Sequence, residues 1–193
     1  MTSITRQHTR RAGWLILAGI FVVLLSACGS STATKQSDAQ KAGILLQSGL
    51  AAHNAGRLSE AAADYKKVLA YDPKNQWAHY NLGLIEQLNG QLAAAEADYR
   101  AAIAVDPNFV GALYNLAILR TKAAPEEAAE LYRKAIAVTP NMAIAHLNLG
   151  FLLEAMGQPT AAKSELAQAV QIDPTLQKRL PPTPAPTPAP KKK

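Results

Sequence analysis

The sequence predicts an all-α protein: a superhelical solenoid of about four stacked helix–turn–helix units, about eight helices in total. Three observations carry this expectation. Proline recurs at Pro73, Pro107, Pro140 and Pro174, in steps of 34, 33 and 34 residues. Within each step a small residue recurs at Gly49, Gly83, Ala117 and Gly150, and an alanine at Ala61, Ala95, Ala128 and Ala162. The alanine is followed four residues on by Tyr65, Tyr99, Tyr132 or Leu166, and three further on by Val68, Ala102, Ala135 or Ala169. Self-similarity at such a period is the mark of a repeat architecture, in which each unit buries its apolar face only against its neighbours. The composition agrees: 38 Ala and 24 Leu stand against 11 aromatics in 193 residues, which favours helix over sheet.

At the N-terminus, Arg6, Arg10 and Arg11 precede an unbroken run of apolar residues and glycine from Trp14 to Leu25. Twelve residues is the length of a signal-peptide core and is short for a membrane span. The run ends in Leu25-Ser26-Ala27-Cys28, with the only cysteine of the chain at its last position. This motif resembles the lipobox of bacterial lipoproteins. The resemblance implies removal of residues 1–27, diacylglycerol on the Cys28 thiol and an exported, membrane-held product. Two acyl chains on one residue supply the two signals that stable anchoring requires. A basic N-terminus retained in the cytoplasm places the remainder of the chain on the other side of the membrane. A lone cysteine also excludes an internal disulfide framework.

From Gly29 to about Gln40 the residues are small and polar without apolar periodicity, and residues 28–41 read as the lipidated cysteine and a flexible tether. The repeats span 42–176, as units 42–75, 76–109, 110–142 and 143–176. Each has a first and a second helix. Gly56, Gly90 and Gly157 punctuate the turns of repeats 1, 2 and 4. Repeat 3 lacks this glycine; there Ala123-Ala124-Pro125 makes the turn, and Pro125 suits the first position of the next helix. The small residues remove bulk where helices approach, and Tyr65, Tyr99 and Tyr132 fill the space between helices. In period, small residues and closing proline the four units resemble the tetratricopeptide (TPR) repeat. That resemblance covers the middle of the chain and implies a right-handed superhelix with a concave inner face built mainly from the first helices.

Those first helices carry the candidate binding site. In register, two residues before the small position, stand Gln47, Asn81, Asn115 and Asn148; one residue before that stand Leu46, Tyr80, Tyr114 and Leu147. One residue after the small position stand Leu50, Leu84, Ile118 and Phe151. These columns are expected to line one groove open to solvent. Side-chain amides carry both donor and acceptor, the complement of an extended peptide backbone, and the flanking columns favour apolar side chains. The resemblance implies a protein- or peptide-binding adaptor. The lysines and arginines with which TPR clamps hold a C-terminal carboxylate are missing from these columns.

No catalytic, cofactor or metal site is expected. There is no phosphate loop, dinucleotide fingerprint or nucleophile elbow. His79 and His146 share a register and read as half-buried packing residues, and His53 stands alone. Glu86 and Arg120 share a register in adjacent repeats and are candidates to pair. Glu126, Glu127 and Glu130 open a helix, where negative charge suits the dipole. Between Ala42 and Leu176 there are 10 Lys and Arg against 13 Asp and Glu, so the net charge of +6 sits at the termini and a nucleic-acid face is not expected.

The tail, 177–193, alternates proline and ends in three lysines, which suits disorder or a polyproline II rod; Thr183 and Thr187 sit in a setting resembling O-glycosylation sites. Proline stops any fifth helix at Pro181, so the face around Leu166, Ala169 and Val170 is expected to be thinly covered. A second copy, another partner or the short segment 175–180 remain open as its cover. Three classes of function also remain open: a lipid-anchored peptide- or protein-binding adaptor of the envelope, a structural homo-oligomer, and a non-catalytic accessory subunit of a pilus, outer-membrane or wall assembly.

Overall fold

A computed structural model describes residues 37–180. Cys28, where lipidation is expected, the apolar run before it and the tail beyond Leu180 lie outside the described residues. Among the described residues eight α-helices come one after another: α1 Asp38–Asn54, α2 Leu58–Tyr71, α3 Gln76–Leu88, α4 Leu92–Val105, α5 Val110–Arg120, α6 Pro125–Val138, α7 Ala143–Ala155 and α8 Pro159–Ile172. A 3₁₀ turn, Pro174–Arg179, ends the described chain. Among the described residues there is no strand, and no helix is long and apolar enough to cross a membrane. Each helix packs on its predecessor and its successor, as in a TPR-like solenoid.

The first helix begins earlier than its composition suggests. Residues 38–41, read as tether, form the first turn of α1, because Ser37 and Gln40 make a reciprocal capping box. The Gln40 amide donates to Ser37 Oγ at 3.2 Å, and the Ser37 amide donates to Gln40 Oε1 at 2.9 Å. The tail is shorter at its start for a similar reason: residues 177–179 belong to the 3₁₀ turn, whose entry is capped by Asp173 accepting from the Thr175 amide.

Within repeats 1, 2 and 4 the turn is closed by a left-handed glycine, φ +73°, +74° and +73° at Gly56, Gly90 and Gly157. In each, the glycine amide and the next one reach back to the last helical carbonyls, as with Gly90 to Gln87 and Gln91 to Glu86. Repeat 3 turns without glycine, and Pro125 opens α6.

The recurring small residue faces the ring of its own repeat. A Cβ on Gly49 would lie 2.7 Å from the Tyr65 ring, on Gly83 2.8 Å from Tyr99, and on Gly150 2.6 Å from Leu166. Tyr65, Tyr99 and Tyr132 are buried, each amid alanines of its own second helix and the apolar residues of the following first helix. At the C-terminal end the 175–180 segment covers part of the last repeat: Leu176 is buried against Leu147 and Ala169, while Leu166 and Val170 stay half-buried.

Charged residues tie neighbouring repeats together. Arg120 does not pair with Glu86. Its guanidinium bonds Glu127 at 2.8 Å and Glu96 at 3.1 Å, and Arg100 joins the same two carboxylates at 2.6 Å and 2.9 Å. The network links α4, α5 and α6, and Glu127 is held below the usual carboxylate range, chiefly by Arg100. Glu86 instead lies beside Asp98, and its carboxyl is pushed up to about 7, first by burial and then by the Asp98 charge. One of its oxygens is buried without a partner. A raised carboxyl favours the protonated fold, so this contribution is complete below about 4.5 and is lost as pH rises through about 7. Glu86→Gln is therefore expected to remove that loss. Compared by urea unfolding, the variant should match the parent near pH 4 and exceed it above pH 7.5 by about 1–2 kcal/mol, allowing for partial solvent screening.

Candidate functional site

The asparagine column is placed by the tyrosine column of the preceding repeat. Asn148 on α7 donates its amide to the Tyr114 hydroxyl of α5 at 2.9 Å, and Asn115 on α5 donates to the Tyr80 hydroxyl of α3 at 3.4 Å. Each tyrosine thus reaches forward one repeat and staples it. Where the preceding repeat has Leu46 in place of tyrosine there is no hydroxyl to meet, and the Asn81 amide turns to its own helix, donating to the Trp77 carbonyl at 2.8 Å. Asn81 is buried rather than open to solvent, at 8% exposure, whereas Gln47 is exposed. The column is therefore in part a structural ladder with its donors already engaged. The amide oxygens of Asn115 and Asn148 accept nothing from a described residue and remain available to a ligand N–H.

Tyr80 owes its seat to two residues that the register alone does not single out. A Cβ on Gly111 would lie 2.9 Å from the Tyr80 ring, so α5 approaches α3 closely only because that position lacks a side chain. Phe109 packs edge-on against Tyr80 at 4.9 Å and against Trp77 at 4.8 Å. Tyr114 rests on Tyr132 at 5.9 Å. Burial raises both Tyr80 and Tyr114 above the ordinary phenol range, and the asparagine contacts oppose that rise. Both remain neutral hydroxyls at physiological pH.

The open part of the surface lies further along. A cavity of about 620 Å³ is lined by Ile118, Asn148 and Phe151 together with Leu92, Lys122 and Leu152. Leu92 is 54% exposed and Ile118 37% exposed, so both present apolar surface to solvent at the cavity. The cavity collects three of the twelve residues in the expected groove columns, and Leu147 of those columns is fully buried. Tyr80, Asn81, Leu84, Tyr114 and Asn115 lie upstream, half-buried or buried, and Leu84 packs against the central core. Leu92 opens α4 and Lys122 lies in the turn between α5 and α6, and neither lies in a first-helix column. The cavity wall is predominantly apolar, with the Lys122 ammonium as its charged group and Asn148 as its amide.

His79 and His146 are structural. His79 holds the Asp98 carboxylate at 2.7 Å and the Pro73 carbonyl at 3.1 Å; His146 repeats the arrangement with Glu165 at 2.6 Å and Pro140 at 3.0 Å. Each ring joins the closing proline of one repeat to the second helix of the next. Among the described residues no three His, Cys, Asp or Glu side chains converge on a point that could hold a metal ion.

Comparison with known proteins agrees with this architecture. No curated protein gives a significant match. Among solved structures, MamA is 24% identical with a TM-score of 0.64, over 71% of this chain and 81% of that one. The PilF protein of Pseudomonas aeruginosa is 23% identical with a TM-score of 0.61, over 72% and 64%. The first TPR of Spaghetti (RPAP3), solved with the HSP90 peptide SRMEEVD bound, is 26% identical with a TM-score of 0.58, over 63% and 96%. The likeness is one of fold. A family model, the cilia and flagella-associated protein 70 middle TPR-like domain, matches residues 45–173, the whole array but for its two ends. By its repeats, its helix packing and that match, the chain belongs to this TPR-like family.

Proposed function

We propose that this protein is a lipid-anchored adaptor of the bacterial cell envelope that holds an extended, apolar segment of a partner protein on the concave face of its repeats. The observation that carries the binding role is the apolar cavity at Ile118, Asn148 and Phe151, with an amide oxygen and exposed Leu92 at its wall. A peptide N–H bonding Asn148 Oδ1 and an aliphatic side chain entering between Ile118 and Phe151 would satisfy both features. The same fold in the RPAP3 domain carries a bound peptide. That peptide has three acidic side chains, whereas the groove columns here hold no Lys or Arg and the cavity wall has Lys122 alone, so a largely apolar segment fits better.

Export and anchoring rest on the charged and then apolar leader and on Leu25-Ser26-Ala27-Cys28. Intact mass of the membrane-extracted protein tests this half of the reading: the expected species begins at Cys28 and carries acyl chains, and a lipid-free mature chain starting elsewhere contradicts it. Capture from cross-linked envelopes with the full chain tests the adaptor half. A distinct partner protein is expected. Recovery of only further copies of this chain would favour the structural homo-oligomer instead.

A further inference from the structure

We infer a second docking surface, separate from the concave groove: the outer face of α8 accepts an amphipathic helix of another protein, one that presents a small residue, then leucine four positions on, then leucine or isoleucine three further. The occupant's chemistry is written in the repeats themselves. Every earlier second helix is covered by the first helix of the next repeat. On α2 the covering residues are Ala78, Leu82 and Ile85; on α4 they are Ala112, Leu116 and Leu119; on α6 they are Ala145, Leu149 and Leu152. In all three the spacing is i, i+4, i+7, counted from the closing proline at +5, +9 and +12. Beneath them Tyr65, Tyr99 and Tyr132 are buried, and Leu69, Ile103 and Ile136 are packed against the core.

On α8 the corresponding residues are Leu166 and Val170, and they line an open cavity of about 580 Å³ with Ala162, Ala167 and Leu180. The interface series continues to this face, and among the described residues no further helix follows to cover it. In register from Pro174, a fifth helix would place Arg179, Thr183 and Pro186 at the three covering positions, and Pro181-Pro182 bars the helix itself. The 3₁₀ turn covers only the edge of this face: Leu176 is buried with Ala169 and Leu147, and Leu180 packs at the rim of the cavity that Leu166 and Val170 line.

A second copy stacked head to tail is a poor match. At the same three positions α1 offers Ile44, Ser48 and Ala51, large where the repeats are small and small where they are large. Ser48 is moreover turned to Asp64 of its own repeat at 2.6 Å. A foreign helix with the spacing of α3, α5 and α7 fits the face that α8 leaves open.

The test uses the full chain and a labelled peptide of residues 75–89, the chain's own α3, held helical by a lactam between Gly83→Lys and Gln87→Glu. Those positions lie off the Ala78, Leu82, Ile85 stripe, and the bridge removes the cost of forming a short helix in water. Fluorescence anisotropy is expected to show saturable binding. Ala167→Arg, at an exposed position lining the cavity, should weaken it at least tenfold with an unchanged melting temperature. A peptide with Leu82→Asp and Ile85→Asp should not bind, and Ile118→Asp in the groove should leave binding unaltered. Absence of saturable binding, or binding indifferent to Ala167→Arg, overturns the inference. Binding that emerges only after removal of 181–193 assigns the face to the chain's own tail. A dimer that Ala167→Arg dissociates assigns it to a second copy. Either result also overturns the inference, and neither bears on the concave groove.

Discussion

Replacing Tyr99 by alanine is expected to lower the free energy of unfolding by about 3–5 kcal/mol, the range for truncating a large buried aromatic. Tyr99 is fully buried, its ring lies against Gly83 of its own repeat, and it shares one core with Ala112, Leu113 and Leu116 of the next. Its hydroxyl donates to Gln87 Oε1 at 2.8 Å, and burial raises its pKa strongly. Tyr99→Phe loses only that bond and should cost about 1 kcal/mol. Because stability in a repeat array is nearly a sum of unit and interface terms, the alanine variant should also broaden the transition by uncoupling repeats 1 and 2 from repeats 3 and 4. Urea unfolding followed by circular dichroism reads both effects. A cost below about 1 kcal/mol for Tyr99→Ala would mean that the ring does not bridge two helix pairs.

The second large effect is expected in binding. Leu92→Asp together with Ile118→Asp should weaken capture of the partner segment by about 2–4 kcal/mol, roughly 30-fold to 1000-fold, as for anchors at the centre of an interface. Both side chains are exposed, so the fold has little to lose. Asp at position 92, the first of α4, even meets the favourable end of the helix dipole. Helical content and melting temperature should therefore stay close to those of the parent. The asparagines are a less discriminating test. Asn115→Ala and Asn148→Ala would also break the bonds to Tyr80 and Tyr114 and so disturb the stacking of repeats.

The architecture is legible in the sequence because its determinants are single residues at a fixed period. A glycine opposite a tyrosine and a proline at the end of a second helix need no tertiary information to be recognised. The site is legible only as a register. Whether Asn81 faces a ligand or its own helix depends on Leu46, a whole repeat away, having no hydroxyl. Only Glu86 shares the register of Arg120, yet the pairing is with Glu96 and Glu127, because α4 and α6 flank α5. Leu92 escapes the register because it opens a second helix, whereas the binding columns run along first helices. The start of α1 is obscured by composition: a polar, small-residue run conceals the Ser37 to Gln40 capping box, a two-residue signal.

Photo-cross-linking from the groove tests the central claim most directly. A photoreactive amino acid at Ile118, at the mouth of the apolar cavity, is compared with one at Lys134, exposed on α6 beside the outer Glu127 and Glu130 cluster. In intact cells, position 118 should give a discrete adduct whose cross-linked peptide is an extended, apolar stretch of one partner protein, and position 134 should not. Adducts from position 134 with none from position 118 would place the partner on the outer surface and contradict the assignment of the concave face as the binding site.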